Sequence, residues 1–348
     1  MKSISAENNK RLEPGYSCNG KKKNAIQLIV VGDFFQLPPV IKKEDREILV
    51  EMYGTEYEQG ETCERGYAFF SKAWKEMKFH CVKLEEVCRQ KDAEFLGILN
   101  DIKYGRNLQN VIAYLESNQS SDLIEEAPYF VGTNAKADKI NQAHMRALDD
   151  KTEKKFYAII EGDVTYEDIK NISYAKQSLV VNIGAKVMLT ANDANGEYVN
   201  GTMGTIIDIS KERGDATCIQ VLTDKGKKVD VYRYEREIER QDIEEHKEKG
   251  ENGETVTVKK IVRKIVGSFK QFPIKIAWAL SIHKSQGQTF SQVNIDPQCW
   301  DSGQFYVAVS RAESIEGIHF MVPIMKQYIR TLSDEVIKIL RESLYSII

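Results

Sequence analysis

The short run from Gln27 to Val31, closed by Gly32-Asp33 and followed by Phe34-Phe35-Gln36-Leu37-Pro38-Pro39, constrains the fold more than any other stretch of the chain. Rich in branched apolar residues, it has the pattern of a central parallel strand covered on both faces. Strands of that kind belong to open α/β sheets, whose ligands gather at the carboxyl ends. The loop from Asp33 to Pro39 is thereby placed where chemistry occurs. Pro38 and Pro39 exclude a helix running straight on from it.

The pattern repeats further along. Tyr67 to Met77 spaces Phe69, Phe70, Ala73 and Trp74 helically, and Val82 to Val87 reads as a strand or strand end. A second α/β unit follows, with Tyr129 to Gly132 as strand and Asn134 to Leu148 as helix, N-capped by Thr133 or Asn134. From Leu179 the chain turns to short strands and glycine turns, including Lys186 to Leu189 and Gly201 to Ile209. Between about 206 and 269 it alternates, as in Val229-Asp230-Val231-Tyr232 and Val256-Thr257-Val258, which suggests a small all-β insertion. The charged run from Arg233 to Glu254 inside it reads as a solvated helix or a long hairpin. Ile274 to Ile282 resumes a strand-like apolar run, and Phe305 to Val309 begins an element ending at Ser310-Arg311.

Composition narrows the function classes. At 348 residues and 42% hydrophobic the chain is long enough for two domains with buried cores. No apolar run approaches the roughly 18 residues of a membrane span, so a cytoplasmic home is expected. Six cysteines without a CxxC pair suggest neither zinc nor a disulfide framework, and no metal ligands are assigned. A net charge of -3 excludes binding nucleic acid by bulk electrostatics, so any such binding uses local sites.

The order of the motifs is more specific than any one of them. Val31-Gly32-Asp33-Phe34-Phe35-Gln36-Leu37-Pro38-Pro39-Val40 resembles the third motif of superfamily-one helicases in its RecD/Pif-type form. Leu84-Glu85-Glu86-Val87-Cys88-Arg89-Gln90 resembles the fourth, with Cys88 where an aromatic residue is usual. Gly184 to Leu189 and Asn200 to Gly204 resemble the strands flanking that family's inserted β-domain. Gln271-Phe272-Pro273 through Ala277-Trp278-Ala279-Leu280-Ser281-Ile282-His283-Lys284-Ser285-Gln286-Gly287 resembles the fifth motif, with Ser281 for threonine. Gly303-Gln304-Phe305-Tyr306-Val307-Ala308-Val309-Ser310-Arg311 resembles the sixth, with Val309 for leucine.

The resemblance implies a RecA-like P-loop NTPase helicase fold of the α/β class. Residues 1–80 would be the C-terminal part of a first RecA-like domain, 81–205 with 270–348 a complete second one, and 206–269 an inserted SH3-like β-barrel. It implies an ATP-dependent DNA helicase working 5′ to 3′, with ATP and Mg²⁺ as cofactors of the complete enzyme and single-stranded or forked DNA as partner. Phosphoryl transfer builds negative charge that fixed cations stabilise. Arg311 is the implied arginine finger, a device contributing roughly 10³ to 10⁵ in rate. Arg89 would bind phosphate oxygens through its planar fork. Gln36, neutral and both donor and acceptor, would orient water or sense the terminal phosphate. Gly32, Asp33 and Gly287 complete the implied nucleotide contacts. His283, Lys284, Ser285 and Gln286 have the donors to grip a phosphate backbone regardless of base. Thr133 and Asn134, at a helix start, would bind another phosphate or simply cap the helix.

One part of the family pattern is missing. Such ATPases need GxxxxGK[ST] around the β and γ phosphates. The nearest match, Gly15 to Lys22, has Lys22 in place of the metal-binding hydroxyl and no room for the following helix, and reads as a polar turn. No strand ending in Asp-Glu occurs in residues 1–26. The expectation is a helicase beginning part way through its first RecA-like domain, with a truncated gene preferred over a split protein completed by a second chain or missing N-terminal segment. The chain alone is then expected neither to hydrolyse ATP nor to bind it tightly. A non-enzymatic nucleic-acid- or partner-binding module is the rival reading.

Overall fold

The computed structural model describes residues 2–5, 28–39, 67–77, 79–84, 86–169, 177–211, 217–249, 255–334, 336–338 and 340. Gln27, Val40, Glu85 and the stretch from Gly15 to Lys22 lie outside them. The chain forms two compact units, residues 1–136 with 280–348, and residues 137–279.

In chain order the first unit begins with β1 (Lys2–Ser5), β2 (Ile29–Gly32), α1 (Lys72–Met77) and β3 (His80–Lys83). Next come α2 (Ala93–Tyr104), α3 (Leu108–Asn118), β4 (Tyr129–Val131) and α4 (Asn134–Arg146), the last crossing into the second unit. The sequence fixes several of these ends. Asp92 N-caps α2 by accepting the Phe95 amide, and Gly105, in the left-handed region at φ 66°, stops it. Thr133 Oγ1 accepts the Lys136 amide at the start of α4, the capping role expected of it. Ser71 Oγ accepts the Trp74 amide at the start of α1, after a 3₁₀ turn over Ala68–Phe70.

The second unit is mostly antiparallel β. It contains β5 (Lys154–Tyr157), β6 (Ile159–Gly162), the short α5 (Tyr166–Ile169), β7 (Ser178–Val181), β8 (Lys186–Leu189), β9 (Met203–Lys211), β10 (Thr217–Thr223) and β11 (Lys228–Val231). After these come β12 (Tyr234–Lys249), β13 (Thr255–Gln271) and β14 (Ile274–Ile276). Five strands pair in the order β11-β10-β9-β8-β14. Their inward residues, among them Val187, Leu189, Ile206, Ile219, Val221 and Val231, form one buried core with Phe272 from the connection before β14. Of the two readings of the charged run, its described part, 233–249, takes the extended one: β12 pairs antiparallel along its whole length with β13, as the arms of a hairpin do, and residues 250–254 lie outside the described residues. Arg240 staples it to the α5 region, donating to Asp168 at 2.7 and 3.2 Å and to Asp163 at 3.2 Å.

The chain then re-enters the first unit through β15 (Ala279–Ser281), β16 (Val293–Ile295), α6 (Gln304–Val309) and β17 (Ile318–Phe320). The sheet order is β15-β4-β16-β17, and β16 runs parallel to both neighbours. Val131, Phe130, Val293, Ile295 and Leu280 are completely buried, as expected of a sheet covered on both faces, and so is Phe305 of α6.

Two expectations need correction. The run at Gln27 to Val31 does not form a central, doubly covered parallel strand. Its described part, β2, pairs antiparallel with β1, and Ile29 and Val31 are 58% and 55% exposed. Only Val30 turns toward the aromatic cluster of Phe35, Tyr67, Phe69 and Phe79. An apolar run states that both faces suit burial; neighbours decide whether both are buried. The run Ile274 to Ile282 is likewise not one strand. It breaks at Ala277-Trp278, so that β14 joins β8 and β15 joins the parallel sheet. Trp278 at the break packs into the second unit's core and stacks on His144 at 5.3 Å.

Candidate functional site

The turn after β2 is built by its own aspartate. Asp33 Oδ1 accepts the Phe35 amide at 3.1 Å, and Asp33 O accepts the Gln36 amide at 3.2 Å. Asp33 Oδ2 meets Lys103 Nζ at 3.3 Å, from the last turn of α2. The same ammonium lies 4.9 Å from the Phe35 ring centre and 5.6 Å from that of Tyr306. Gln36 is half-buried. Its carbonyl, with that of Phe35, lies so close to Gly303 that a Cβ there would stand 2.9 Å from Gln36 O and closer still to Phe35 O. Gly303, at φ 75°, is the N-cap of α6.

Arg89 and Arg311 meet around the end of α6. Arg89 donates from Nη1 to Ser310 O and from Nε to Thr289 Oγ1, both at 2.8 Å. Gln90 donates to Ser310 O and Ala312 O at 3.1 and 2.7 Å. Arg311, 3% exposed, donates from Nε to Val307 O at 3.1 Å and from Nη2 to Ser310 Oγ at 2.9 Å. Burial, reinforced by the Arg89 charge, pushes the Arg311 guanidinium down to about 10, while Tyr306 and Asp33 act in the opposite sense. Burial also lowers Arg89. The Tyr306 phenol is pushed up by burial first and by Asp33 second. Among the described residues, two guanidiniums and the Lys103 ammonium share this region with the Asp33 carboxylate, a set of cations suited to a polyanion.

The expected nucleic-acid contacts form a second group. Ser281 Oγ donates to Asn134 Oδ1 at 2.9 Å, tying the end of β15 to the start of α4. Ile282–Ser285 is a 3₁₀ turn on which His283 and Lys284 are half-buried. Ser285 is fully buried, and its hydroxyl donates to Ile282 O at 2.8 Å inside the turn. Gln286 is half-buried, Gly287 takes φ 81° with open space around it, and Thr133 and Asn134 are exposed. Two residues past Gly287, Thr289 holds Arg89, so one segment touches both groups. Gly32 ends β2, with nothing near its Cα for a side chain to meet.

Sequence reasoning missed Lys103, Tyr306 and Gln90 as members of the first group. Gln90 and Tyr306 lie inside stretches that were singled out. Lys103 carried no local signal beyond its place as a cation in the last turn of a helix. The half-buried Arg89 and buried Arg311 guanidiniums have the charge and donors that suit the phosphates of ATP. For magnesium, no group of three His, Cys, Asp or Glu stands together among the described residues. Nor is any helix among them long and apolar enough to cross a membrane.

No protein-family profile matches the chain. It is 30% identical over 299 residues to the ATP-dependent DNA helicase Pif1 of Bdellovibrio bacteriovorus, an alignment covering 85% of this chain and 58% of that protein. The Campylobacter jejuni Pif1 is 29% identical over 82% of this chain and 60% of its own length. The chain thus spans less than two thirds of these relatives. Among solved structures, Bacteroides Pif1 bound to single-stranded DNA superposes with a TM-score of 0.64 at 28% identity, covering 89% of this chain and 65% of that one. Its complex with ADP-AlF3 and single-stranded DNA also gives 0.64, at 27% identity over 90% and 66%. The fold is that of a RecA-like P-loop helicase. By sequence and by fold the chain is a relative of the Pif1-type helicases of superfamily one.

Proposed function

We propose that the chain supplies the phosphate-sensing and strand-gripping part of an ATP-dependent DNA helicase working 5′ to 3′. Arg311 acts as the arginine finger, Arg89 as a second phosphate clamp and Gln36 as the sensor of the terminal phosphate. Gly32, Asp33 and Gly287 shape the turns around them. Thr133, Asn134, His283, Lys284 and Gln286 hold the backbone of single-stranded or forked DNA, with Ser285 fixing the turn that presents them. ATP, when bound, brings the phosphoanhydride whose cleavage drives movement. The observation that carries the reading is the meeting of the half-buried Arg89 and the buried Arg311 at Ser310, both hydrogen-bonded to it, beside the Lys103 ammonium.

The domain division expected from the motifs, 1–80, 81–205 with 270–348, and an inserted barrel at 206–269, is part of this proposal. The rival is a non-enzymatic nucleic-acid- or partner-binding module; GxxxxGK[ST] does not occur in the 348 residues, a fact both readings accommodate. Both readings expect the purified chain to hydrolyse ATP no faster than buffer, with or without DNA. Robust DNA-stimulated turnover would refute that expectation. The helicase reading further expects weak, salt-sensitive single-strand binding that falls on His283→Ala or Lys284→Ala. Unchanged binding in both variants removes the assigned DNA contacts.

A further inference from the structure

Trp300 is an exposed indole fixed from both sides of its backbone. Its amide donates to Gln304 Oε1 at 3.0 Å, and its carbonyl accepts from Arg330 Nη1 at 3.0 Å. Gln304 is completely buried and donates in turn to Gly132 O at 3.2 Å, which joins the loop after β16 to the end of β4. The indole lies against Gly132: a Cβ added there would stand 2.6 Å from Cη2 and closer to Cζ3. The absence of a side chain at 132 is what lets the ring rest on the backbone. Even so, Trp300 remains 47% exposed.

Its surroundings are polar. Gly132 runs directly into Thr133 and Asn134, both exposed at the amino end of α4, where backbone amides and the helix dipole favour phosphate. Lys136, on the first turn, pairs with the buried Asp296 beside Trp300's own loop and keeps 44% of its side chain in solvent. Asn134 is bonded to Ser281, next to the His283-Lys284 turn. A rigid aromatic face among phosphate donors is the pairing by which sequence-tolerant single-strand sites work: the donors track the backbone and the ring stacks a base.

We infer that Trp300 is a stacking platform for one base of single-stranded DNA whose backbone is held by the Thr133-Asn134 turn. The inference rests on the proposed DNA contacts and adds to them a residue that reads the base face rather than the phosphate. No hydrogen-bond readout is involved, so the platform accepts any base.

The test uses the full chain, fluorescence anisotropy with an oligo-dT strand and with the same strand carrying abasic sites, and the variants Trp300→Ala, Trp300→Phe and Lys284→Ala. Trp300→Ala should weaken oligo-dT binding by roughly 5- to 150-fold, the worth of one stacked base, while Trp300→Phe retains most of the affinity. The salt slope should stay as in the wild type for Trp300→Ala and fall by about one for Lys284→Ala. Wild-type chain should bind the abasic strand less tightly than intact oligo-dT, and Trp300→Ala should bind both alike. Equal wild-type affinity for the two strands overturns the platform without any mutant. Wild-type affinity in Trp300→Ala, alongside loss in Lys284→Ala, overturns the platform and leaves the DNA contacts standing. No salt-sensitive binding of either strand by the wild type overturns both.

Discussion

Lys103 Nζ stands 3.3 Å from Asp33 Oδ2, and the two side chains are only 17% and 7% exposed. The pair fixes the turn that carries Gln36 to the helix that follows Arg89. Replacing Lys103 with Met keeps the stem but leaves the Asp33 carboxylate nearly dry and without its cation. Stability to urea should fall by about 1 to 3 kcal/mol, with Lys103→Arg recovering most of it. A Met variant as stable as the wild type would show that the pair holds nothing in place.

The crowded cations around Ser310 give a second expectation. Pyrophosphate should raise the melting temperature, because an anion that binds only the folded chain stabilises it by mass action. Arg311→Met should lose that gain. Its stability without ligand should change by less than about 1 kcal/mol, since removing a buried, under-compensated charge offsets the lost bonds to Val307 O and Ser310 Oγ. An undiminished pyrophosphate shift in the variant, read by calorimetry, would separate Arg311 from the anion site.

His144 predicts a pH dependence in the second unit. Burial, and secondarily the Lys186 charge, hold its imidazole below the ordinary value of about 6.5. As pH falls through 6.5 the unfolded chain takes up a proton before the folded one does, so the folded state loses stability until its own, lower pKa is passed. The contribution is fully present above 6.5. His144→Phe, which keeps the ring on Trp278, should flatten the part of the stability profile just below about pH 6.5. A profile of unaltered slope in denaturant melts would assign the dependence to another group.

Much of this architecture was legible because local signals agreed with their surroundings. Thr133 caps α4 as its hydroxyl and position suggest, and Tyr129 to Val131 forms a strand where the sequence suggests one, its Phe130 and Val131 buried. The hairpin of β12 and β13 was one of two readings because charge alone does not distinguish a solvated helix from a solvated strand. Ile238, buried against Phe269 and Ile169, supplies the tertiary contact that decides it. The break at Ala277-Trp278 left no mark in hydropathy, since both halves of the run are apolar and only their destinations differ. Lys103 and Trp300 were unreadable for a related reason. Each draws its meaning from a residue about 70 or 168 positions away, Asp33 and Gly132, so nothing in the local pattern could flag it.

Gly303 sets the thickness of the seam between the Gln36 turn and α6 at a single backbone. No heavier residue can stand there without prying the two apart, and its positive φ penalises every L side chain besides. A mutational screen would therefore find this position as intolerant as Arg311, although it offers no chemistry of its own. Its contribution is clearance, and the arginine just past the far end of the same short helix inherits its placement from it.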